Sequence, residues 1–454
     1  MMLEREIEKE ISQWITTADK RCLLVTGAPL VGKTYSIKKV LDSSGVSWAE
    51  FNLYDNPSLA SGLVRARNTD ELVAQLSLYT GRKLERNGST IIFIDEVQAA
   101  PDIVTMIKFW CDEGDFRFIL SGSLLGVSLK HIRSVPVGYM KTLKMYPMNF
   151  REFLQLYNFT DELRNYLDSA FRNRTPVSEA VHTRLLEAFR MYLVVGGMPH
   201  AVQTFRDTHD LRLVSDIQNG IVERYKEDIA KYEEEEKRLY LSRIYELIPA
   251  ELREQNKRFS VNDVRAALVY GRADRDFLWL TEAGVALPVY NVKAPVIPLL
   301  LNEKSSLFKL FLSDVGILAG KYGTETVRAV LNEDRDLNYG AVYENYAAQE
   351  LYAYGFRPCY YNSKKMGELD FLIEYRGKAL PIEIKSGKDY YRHSALSNVL
   401  GVEEYGIDEA FVFANTNVEV KGKITYYPIY MLMCLPYEVP LPKVEPFDFS
   451  KMTF

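Results

Sequence analysis

The sequence predicts an α/β protein with two strand-rich regions separated by a helical middle. Apolar strands alternate with helices through the first 150 residues, which is typical of a parallel sheet covered on both faces. Residues 150–235 then show helical patterns, such as the amphipathic stretch His182–Met191. Near the C-terminus, two β-rich runs flank Arg376-Gly377, which suits a two-residue hairpin turn. With 454 residues, the chain is long enough for two or three domains.

Five strands are expected in the first region, each from a short apolar run between helical patterns. They are Cys22–Thr26, Trp48–Leu53, Thr90–Ile94, Arg117–Ser121 and Thr142–Met145. The buried run Tyr430–Leu435, close to the C-terminus, also has the pattern of a strand.

Charge and cysteine content narrow the functional classes. The formal net charge is −5, so no overall basic field marks the chain as a nucleic-acid binder, although a local basic surface is compatible with it. The four cysteines are far apart and form no C-x-x-C pair, which favours reduced thiols and a cytoplasmic protein. No apolar run approaches the roughly 18 residues of a membrane span, and the charged, helical start does not resemble a signal peptide. No membrane partner is expected.

The first strand leads into a loop with the spacing G-x-x-x-x-G-K-T. The loop and the residue after it are Gly27, Ala28, Pro29, Leu30, Val31, Gly32, Lys33, Thr34 and Tyr35. Gly27 and Gly32 allow backbone N–H groups to turn inward around a polyphosphate. Lys33 can reach the outer phosphates, and the Thr34 hydroxyl can ligate Mg²⁺. The following helix adds its positive N-terminal end. An ordinary glycine turn is the alternative.

Two carboxylates follow the third strand. Asp95 is expected to hold Mg²⁺, directly or through water, and Glu96 to polarise a water for attack on the γ-phosphate. Acids that only cap the next helix are the other interpretation. The next strand ends at Ser121-Gly122-Ser123, where Ser121, or alternatively Ser123, could sense the γ-phosphate, unless the three residues form a simple turn. ATP and Mg²⁺ are therefore the expected cofactors.

The order of motifs resembles the AAA-type ATPases of bacteria and archaea that carry a C-terminal domain of unknown function. The matching segments are Gly27–Thr34, Phe93–Gln98, Ser121–Ser123, Leu143–Phe153, Tyr192–Pro199 and Lys309–Gly316, so the resemblance covers nearly the whole chain. It implies a P-loop NTPase domain of the AAA type in residues 1–150. The chain departs from the family at Pro29, where Arg is frequent, and at Tyr139, where family members are often basic.

This second departure leaves the arginine finger unassigned. Arg133 is near in sequence but is not chosen for that role. An arginine supplied by a neighbouring subunit would make the protein a homo-oligomer, since such a finger acts either in cis or in trans.

The middle of the chain is expected to be helical, with a lid or linker in residues 151–235. The segment Gly196–Pro199 interrupts these helices, and a helix–loop–helix joint is the expected structure there. Residues 236–325 are expected to form a winged-helix-like module. In that module Leu287–Val292 would pair with Leu307–Leu312 as the wing.

The helices of this module are compatible with two functions, contact with DNA and packing against another protein surface. Ser260 is a good N-cap, and Asp263 lies in the first turn after it. Winged helices belong to the helix-turn-helix class that reads duplex DNA, so DNA is one candidate partner. Few basic residues lie on the candidate helices, namely Arg265, Arg272 and Arg275, and Asp274 and Asp276 offset them, which favours packing against the ATPase or a partner instead.

The C-terminal hairpin brings charged residues together. A turn at Arg376-Gly377 places Asp370 opposite Glu383, and Glu368 opposite Lys385. Glu383 and Lys385 are two residues apart on one strand and face the same side. An Asp–Glu pair can hold a divalent metal, and a lysine can orient or activate water. The alternative is a charged hairpin face, in which each favourable pair contributes about 0.2–1 kcal/mol.

This hairpin resembles the core of the PD-(D/E)XK nucleases, with Asp370, Glu383 and Lys385 in the D…E-x-K positions. The resemblance implies a restriction-endonuclease-like α/β domain in residues 326–454 and a second divalent metal. It also implies that Glu344, on the preceding helix, is one more acid of that metal site. The residue before Asp370 is Leu369, where the family often has Pro.

The expected function is Mg²⁺-dependent ATP binding and hydrolysis that drives or gates a nuclease-like, DNA-interacting C-terminal domain. Folds of the nuclease type can retain their ligands without turnover, so cleavage itself stays open. The alternative is a regulatory or scaffold ATPase whose C-terminal domain binds protein or DNA without catalysis.

Overall fold

The computed structural model describes residues 3–17, 19–81, 83–123, 138–232, 235–253, 279–332 and 339–435. They form a first sheet of five strands and a second sheet of eight. Arg133, the helix expected to begin at Ser260, and the three arginines Arg265, Arg272 and Arg275 lie outside the described residues. In the described part of the chain, no helix has both the length and the apolar character needed to cross a bilayer.

The first sheet is parallel throughout, as the alternation of strands and helices predicts. Its strands are β1 (Cys22–Gly27), β2 (Trp48–Asn52), β3 (Ile91–Asp95), β4 (Arg117–Gly122) and β5 (Met140–Met145), in the spatial order β2-β3-β4-β1-β5. Its helices are α1 (Glu6–Thr16), α2 (Lys33–Ser44), α3 (Pro57–Arg65), α4 (Thr69–Thr80) and α5 (Ile103–Glu113).

Both faces of this sheet are covered. In β3, Ile91 and Phe93 pack into a core with α1 and α2, whereas Ile92 and Ile94 pack into a second core with α3, α4 and α5. Successive side chains of a strand point to opposite faces, so a strand buried on both sides reads as a continuous apolar run. This arrangement brings the carboxyl ends of β1, β3 and β4 to one edge.

Helices fill the middle of the chain, as expected. They are α6 (Phe150–Phe153), α7 (Asp161–Asn173), α8 (Glu179–Val195), α9 (Pro199–Thr208), α10 (Leu211–Tyr232) and α11 (Glu235–Arg253). Asn149 caps α6: its side chain accepts the Glu152 N–H at 2.8 Å, and the Glu152 carboxylate accepts the Asn149 N–H at 3.1 Å. The Gly196-Gly197 segment joins α8 to α9, which confirms the helix–loop–helix prediction.

The second sheet is mixed and holds the C-terminal hairpin. Its strands are β6 (Ala286–Val292), β7 (Glu303–Leu312), β8 (Cys359–Ser363), β9 (Gly367–Tyr375), β10 (Lys378–Lys385), β11 (Ala410–Ala414), β12 (Glu419–Lys421) and β13 (Ile424–Pro428), in the order β12-β13-β11-β10-β9-β8-β6-β7. Four helices accompany it: α12 (Val315–Lys321), α13 (Thr324–Asn332), α14 (Gly340–Ala353) and α15 (Ser394–Leu400).

Two expectations are wrong in this region. The strands expected as a wing do pair, but β6 also pairs in parallel with β8, so both strands belong to the second sheet. A wing and a sheet edge have the same local pattern, and only the distant partner β8 separates them. The run expected as a strand at Tyr430–Leu435 is mostly a buried 3₁₀ helix, Ile429–Cys434. A short apolar run does not by itself distinguish a strand from a buried helix.

Three segments that carry the family resemblance meet between the two sheets. The Gly197 N–H donates to Asp314 Oδ2 at 2.6 Å, and the Met148 N–H donates to the Gly197 carbonyl at 2.7 Å. A Cβ atom on Gly197 would lie 2.0 Å from the Met148 oxygen, so only glycine fits. We call Met148, Gly197 and Asp314 the junction; it connects the exit of β5 to the end of β7.

Candidate functional site

The phosphate loop has the backbone that its glycines predict. It begins where β1 ends and finishes where α2 begins, and Gly27 and Gly32 have φ values of 147° and 98°. A Cβ atom on Gly27 would lie 2.1 Å from the Met145 carbonyl oxygen on the neighbouring strand β5. Glycine is therefore required at this position by both the backbone conformation and the close approach of β5.

Lys33 lies inside this loop. Its Nζ donates to the carbonyl oxygens of Gly27 at 3.1 Å and Ala28 at 2.9 Å. Burial lowers the pKa of Lys33 to about 8, while nearby carboxylates, Glu96 first, oppose that shift. The ammonium is thus held by neutral oxygens rather than by a carboxylate.

Thr34 and Asp95 connect the loop to the end of β3. The Thr34 hydroxyl donates to Asp95 Oδ2 at 2.7 Å. Asp95 Oδ1 accepts the Glu96 N–H at 3.0 Å and the Ser121 hydroxyl. A hydroxyl and a carboxylate side by side are the oxygen donors that Mg²⁺ uses in P-loop sites, so these residues fit the ion that the motif implies.

Glu96 lies beside this pair in a left-handed conformation, with φ of 58°. Its carboxylate accepts a hydrogen bond from Gln98 Nε2, which also donates to Ser123 Oγ at 3.2 Å. Burial raises the pKa of Glu96, and the Gln98 hydrogen bond opposes the shift. Both serines therefore make a hydrogen bond in the site: Ser121 donates to Asp95, and Ser123 accepts from Gln98. Gln98 was not predicted as a site residue, although its place two residues after Glu96 was a usable signal.

Residues from outside the first sheet also reach the loop. The Tyr225 hydroxyl lies 3.4 Å from the Pro29 carbonyl oxygen, and Arg5 donates to the Val31 carbonyl at 2.8 Å. A Cβ atom on Gly284 would come within 3.0 Å of the Ala28 nitrogen. The side chains of Leu30 and Tyr35 are about half exposed, at 52% and 49%. The loop is therefore supported from α10 and from the turn before β6, yet keeps a solvent-facing side.

The C-terminal hairpin has the predicted register. Its cross-strand partners run from Lys378 opposite Tyr375 to Ile382 opposite Phe371. Arg376 and Gly377 both have positive φ, at 50° and 75°, as a type I′ turn requires. Beyond these pairs, the Ile384 N–H donates to the Asp370 side chain, at 2.9 Å from Oδ2. The hairpin therefore brings Asp370 next to the strand that carries Glu383.

Six charged residues collect around this hairpin, and we call them the C-terminal charge cluster. They are Lys309, Glu344, Glu368, Asp370, Glu383 and Lys385. Lys385 Nζ lies 2.9 Å from Glu383 Oε2. Lys309 Nζ lies 2.8 Å from Glu368 Oε1 and 3.8 Å from Glu344 Oε2, which is on α14. Glu368 also accepts a hydrogen bond from Asn362.

Lys309 is the member that sequence reasoning missed. The sequence pattern puts it in the expected wing, Leu307–Leu312, and no local signal marks its side chain as part of the hairpin site. Its pairing depends on β6 and β7 joining the second sheet beside β8. In the described ranges, no three His, Cys, Asp or Glu side chains are grouped so as to hold a metal ion. The role of Glu344, Asp370 and Glu383 as metal ligands stays a prediction.

Comparison with protein-family models identifies the type of domain in the first region of the chain. Residues 19–154 match the family model described as "AAA domain". Residues 186–327 and 339–432 match two models described only as domains of unknown function, DUF8612 and DUF4143. The chain therefore carries an AAA-type, P-loop ATPase-like domain at its N-terminal end, followed by two regions whose family descriptions assign no activity. A search of curated proteins finds no match.

Solved structures with some similarity to this chain include the following three. The Walker-type ATPase PABY2304 of Pyrococcus abyssi is 12% identical with a TM-score of 0.40, over 72% of this chain and 96% of that one. Cdc6p from Pyrobaculum aerophilum is 12% identical with a TM-score of 0.25, over 73% and 96%. A structure described under katanin self-assembly is 10% identical with a TM-score of 0.23, over 34% and 55%. Similarity at this level does not bear on activity or assembly.

Proposed function

We propose that the chain binds and hydrolyses ATP with Mg²⁺ at the phosphate loop. The observation that carries this proposal is the 2.7 Å hydrogen bond from Thr34 to Asp95, because it joins the loop to the acidic end of β3. Thr34 and Asp95 would hold the Mg²⁺, which neutralises phosphate charge when bound. Lys33 would exchange its carbonyl partners for phosphate oxygens.

Glu96 is proposed as the group that polarises the attacking water. Burial makes its carboxylate more basic, which suits a proton acceptor. Gln98 and Ser123 hold the Glu96 side chain in place, while Ser121 orients Asp95. Each of these roles belongs to a side chain at the same edge of the first sheet.

The test is ATP binding and hydrolysis by Lys33→Ala, with Lys38→Ala as the matched control. Lys38 is on the same helix but pairs with Glu50. We expect Lys33→Ala to lose ATP binding and Lys38→Ala to keep it. Unchanged ATP affinity in Lys33→Ala would contradict the proposal.

We further propose that the ATPase controls the C-terminal region, which is nuclease-like and takes DNA as its partner. The junction supports coupling, because it ties the exit of β5 to the end of β7 through Gly197 and Asp314. The hairpin register supports the nuclease-like interpretation. Two versions remain: cleavage of DNA, or binding of DNA or protein without cleavage. The pairing of Lys309 with the acids favours the second.

A plasmid assay with Mg²⁺ or Mn²⁺, with and without ATP, separates these versions. Metal-dependent cleavage that Asp370→Ala abolishes, while ATP hydrolysis is kept, would support catalysis. No cleavage by the wild type under either metal contradicts it. A nucleotide-dependent change in oligomer size without DNA affinity, measured by light scattering, would instead support a scaffold whose arginine finger comes from a neighbouring subunit.

A further inference from the structure

The C-terminal charge cluster holds a lysine where the nuclease resemblance implies a divalent metal. Lys309 projects from β7, and its side chain is fully buried. Its ammonium lies between the carboxylates of Glu344 and Glu368 and 5.1 Å from the centre of the Tyr360 ring. A positive charge is therefore already built into the acidic part of the cluster.

The Lys309 ammonium contacts a carboxylate that the resemblance assigns to a metal, because its Nζ lies 3.8 Å from Glu344 Oε2. A divalent cation on the Glu344 carboxylate would lie next to this ammonium. Like charges at such a distance repel strongly in a buried site.

The other two acids are also balanced without a metal. Glu383 Oε2 pairs with Lys385 at 2.9 Å, and Asp370 Oδ2 accepts the Ile384 N–H at 2.9 Å. Glu383 Oε1 is buried with no hydrogen-bond partner among the described residues. A cation that binds between these two acids would have to contact this unpartnered Glu383 oxygen.

We propose that Lys309 is the resident cation of the C-terminal charge cluster: it pairs with Glu368 and with Glu344, one of the acids that a divalent metal would need, and only loss of its charge frees that acid for a metal. The inference goes beyond the proposed ATP hydrolysis, which uses none of these residues. It makes the wild-type cluster metal-free and leaves its fold independent of Mg²⁺ or Mn²⁺.

The test is titration of the nucleotide-free full chain with Mn²⁺, followed by the electron paramagnetic resonance signal of free Mn²⁺. We expect no Mn²⁺ on the cluster of the wild type, so Asp370→Asn leaves the titration unchanged. Lys309→Met should gain one bound Mn²⁺, and adding Asp370→Asn should remove it. Lys38→Met is the matched control, because it removes a lysine from a carboxylate pair elsewhere, and it should gain none.

Two results would overturn the proposal: wild-type binding of Mn²⁺ that Asp370→Asn removes, or a folded Lys309→Met protein that gains no Mn²⁺. Lys309→Gln is the second variant if the methionine protein does not fold. Even without either variant, the comparison of wild type with Asp370→Asn still decides whether the native cluster takes metal. If the Mn²⁺ titration contradicts this inference, the proposal of ATP hydrolysis is unaffected. If the wild type does not bind ATP, the Mn²⁺ titration still tests this inference.

Discussion

The phosphate loop and the C-terminal charge cluster contain the same residue types but partner them differently. Lys33 bonds to backbone carbonyls, and Asp95 accepts hydrogen bonds from hydroxyl groups. In the cluster, Lys309 and Lys385 lie directly against carboxylates. A neutral partner can be exchanged for a phosphate or a metal without leaving a buried charge unpaired, whereas an ionic partner cannot. Partner choice, rather than residue type, therefore distinguishes a ligand-ready site from an internally balanced one.

The largest contrast should appear when each lysine is removed. Lys309→Ala leaves Glu344 and Glu368 without their buried cation, and we expect a loss of about 3–5 kcal/mol in the free energy of unfolding. Lys33→Ala should change it by only about 1 kcal/mol, because lost hydrogen bonds are offset by relief of a buried charge. Urea unfolding of both variants measures this, and equal losses would break the comparison.

The next contrast concerns catalysis. Glu96→Gln removes the proposed proton acceptor while keeping the shape of the side chain, so kcat for ATP hydrolysis should fall about 100- to 1,000-fold with ATP binding kept. Glu383→Gln, the matching change in the cluster, should leave kcat within about twofold, since Glu383 lies in the second sheet and none of the proposed ATP-hydrolysing residues does. Steady-state ATPase measurements on both proteins decide this. An active Glu96→Gln enzyme would remove Glu96 from the mechanism.

The junction between the two regions offers a third test. Gly197→Ala forces a Cβ atom against the Met148 oxygen, and we expect it to destabilise the protein by about 3 kcal/mol. Gly220→Ala is the control: it is exposed on α10, has no atom within 4 Å of the added Cβ, and should stabilise by about 0.8–1 kcal/mol. Thermal unfolding measures both. A neutral Gly197→Ala would mean that the junction is loosely packed.

The smallest expected effect is a pH dependence within α14. Glu344, which lies near Lys309, and Glu350 are on this same helix. Glu350 accepts the Phe150 N–H at 2.7 Å. Burial raises the pKa of Glu350 from 4.5 to about 8. Because the folded protein retains this proton above the unfolded pKa, stability is full at low pH and falls as pH rises towards about 8.

Glu350→Gln should remove this loss of stability between about pH 5 and pH 8, while keeping an oxygen acceptor for the Phe150 N–H. Urea unfolding at several pH values measures it. Glu325→Gln, which changes an exposed acid paired with Arg328, is the control and should leave the pH profile unchanged. A profile in Glu350→Gln that matches the wild type would contradict the assignment of the buried proton to Glu350.

Local patterns predicted more of the first region than of the second. The phosphate loop, β3 and the turn at Arg376-Gly377 depend on short stretches of sequence, and their backbone conformations follow from glycine positions and apolar runs. The pairing of Lys309 does not follow from a short stretch of sequence. That pairing requires β6 to pair with β8, which is far along the chain. The same dependence made β6 and β7 look like a wing. The full membership of the C-terminal charge cluster therefore could not be predicted from the sequence, because it depends on long-range strand pairing.

The most direct test of the comparison is the melting temperature of the wild type with Mg²⁺ alone, with ATP alone and with both. We predict a rise with Mg²⁺ and ATP together that Lys33→Ala abolishes, and no rise with Mg²⁺ alone, because, of the two sites compared, the phosphate loop is the one proposed to take a metal, together with its nucleotide. A rise with Mg²⁺ alone that disappears in Asp370→Asn would contradict the account, since the C-terminal charge cluster would then bind metal in its native state.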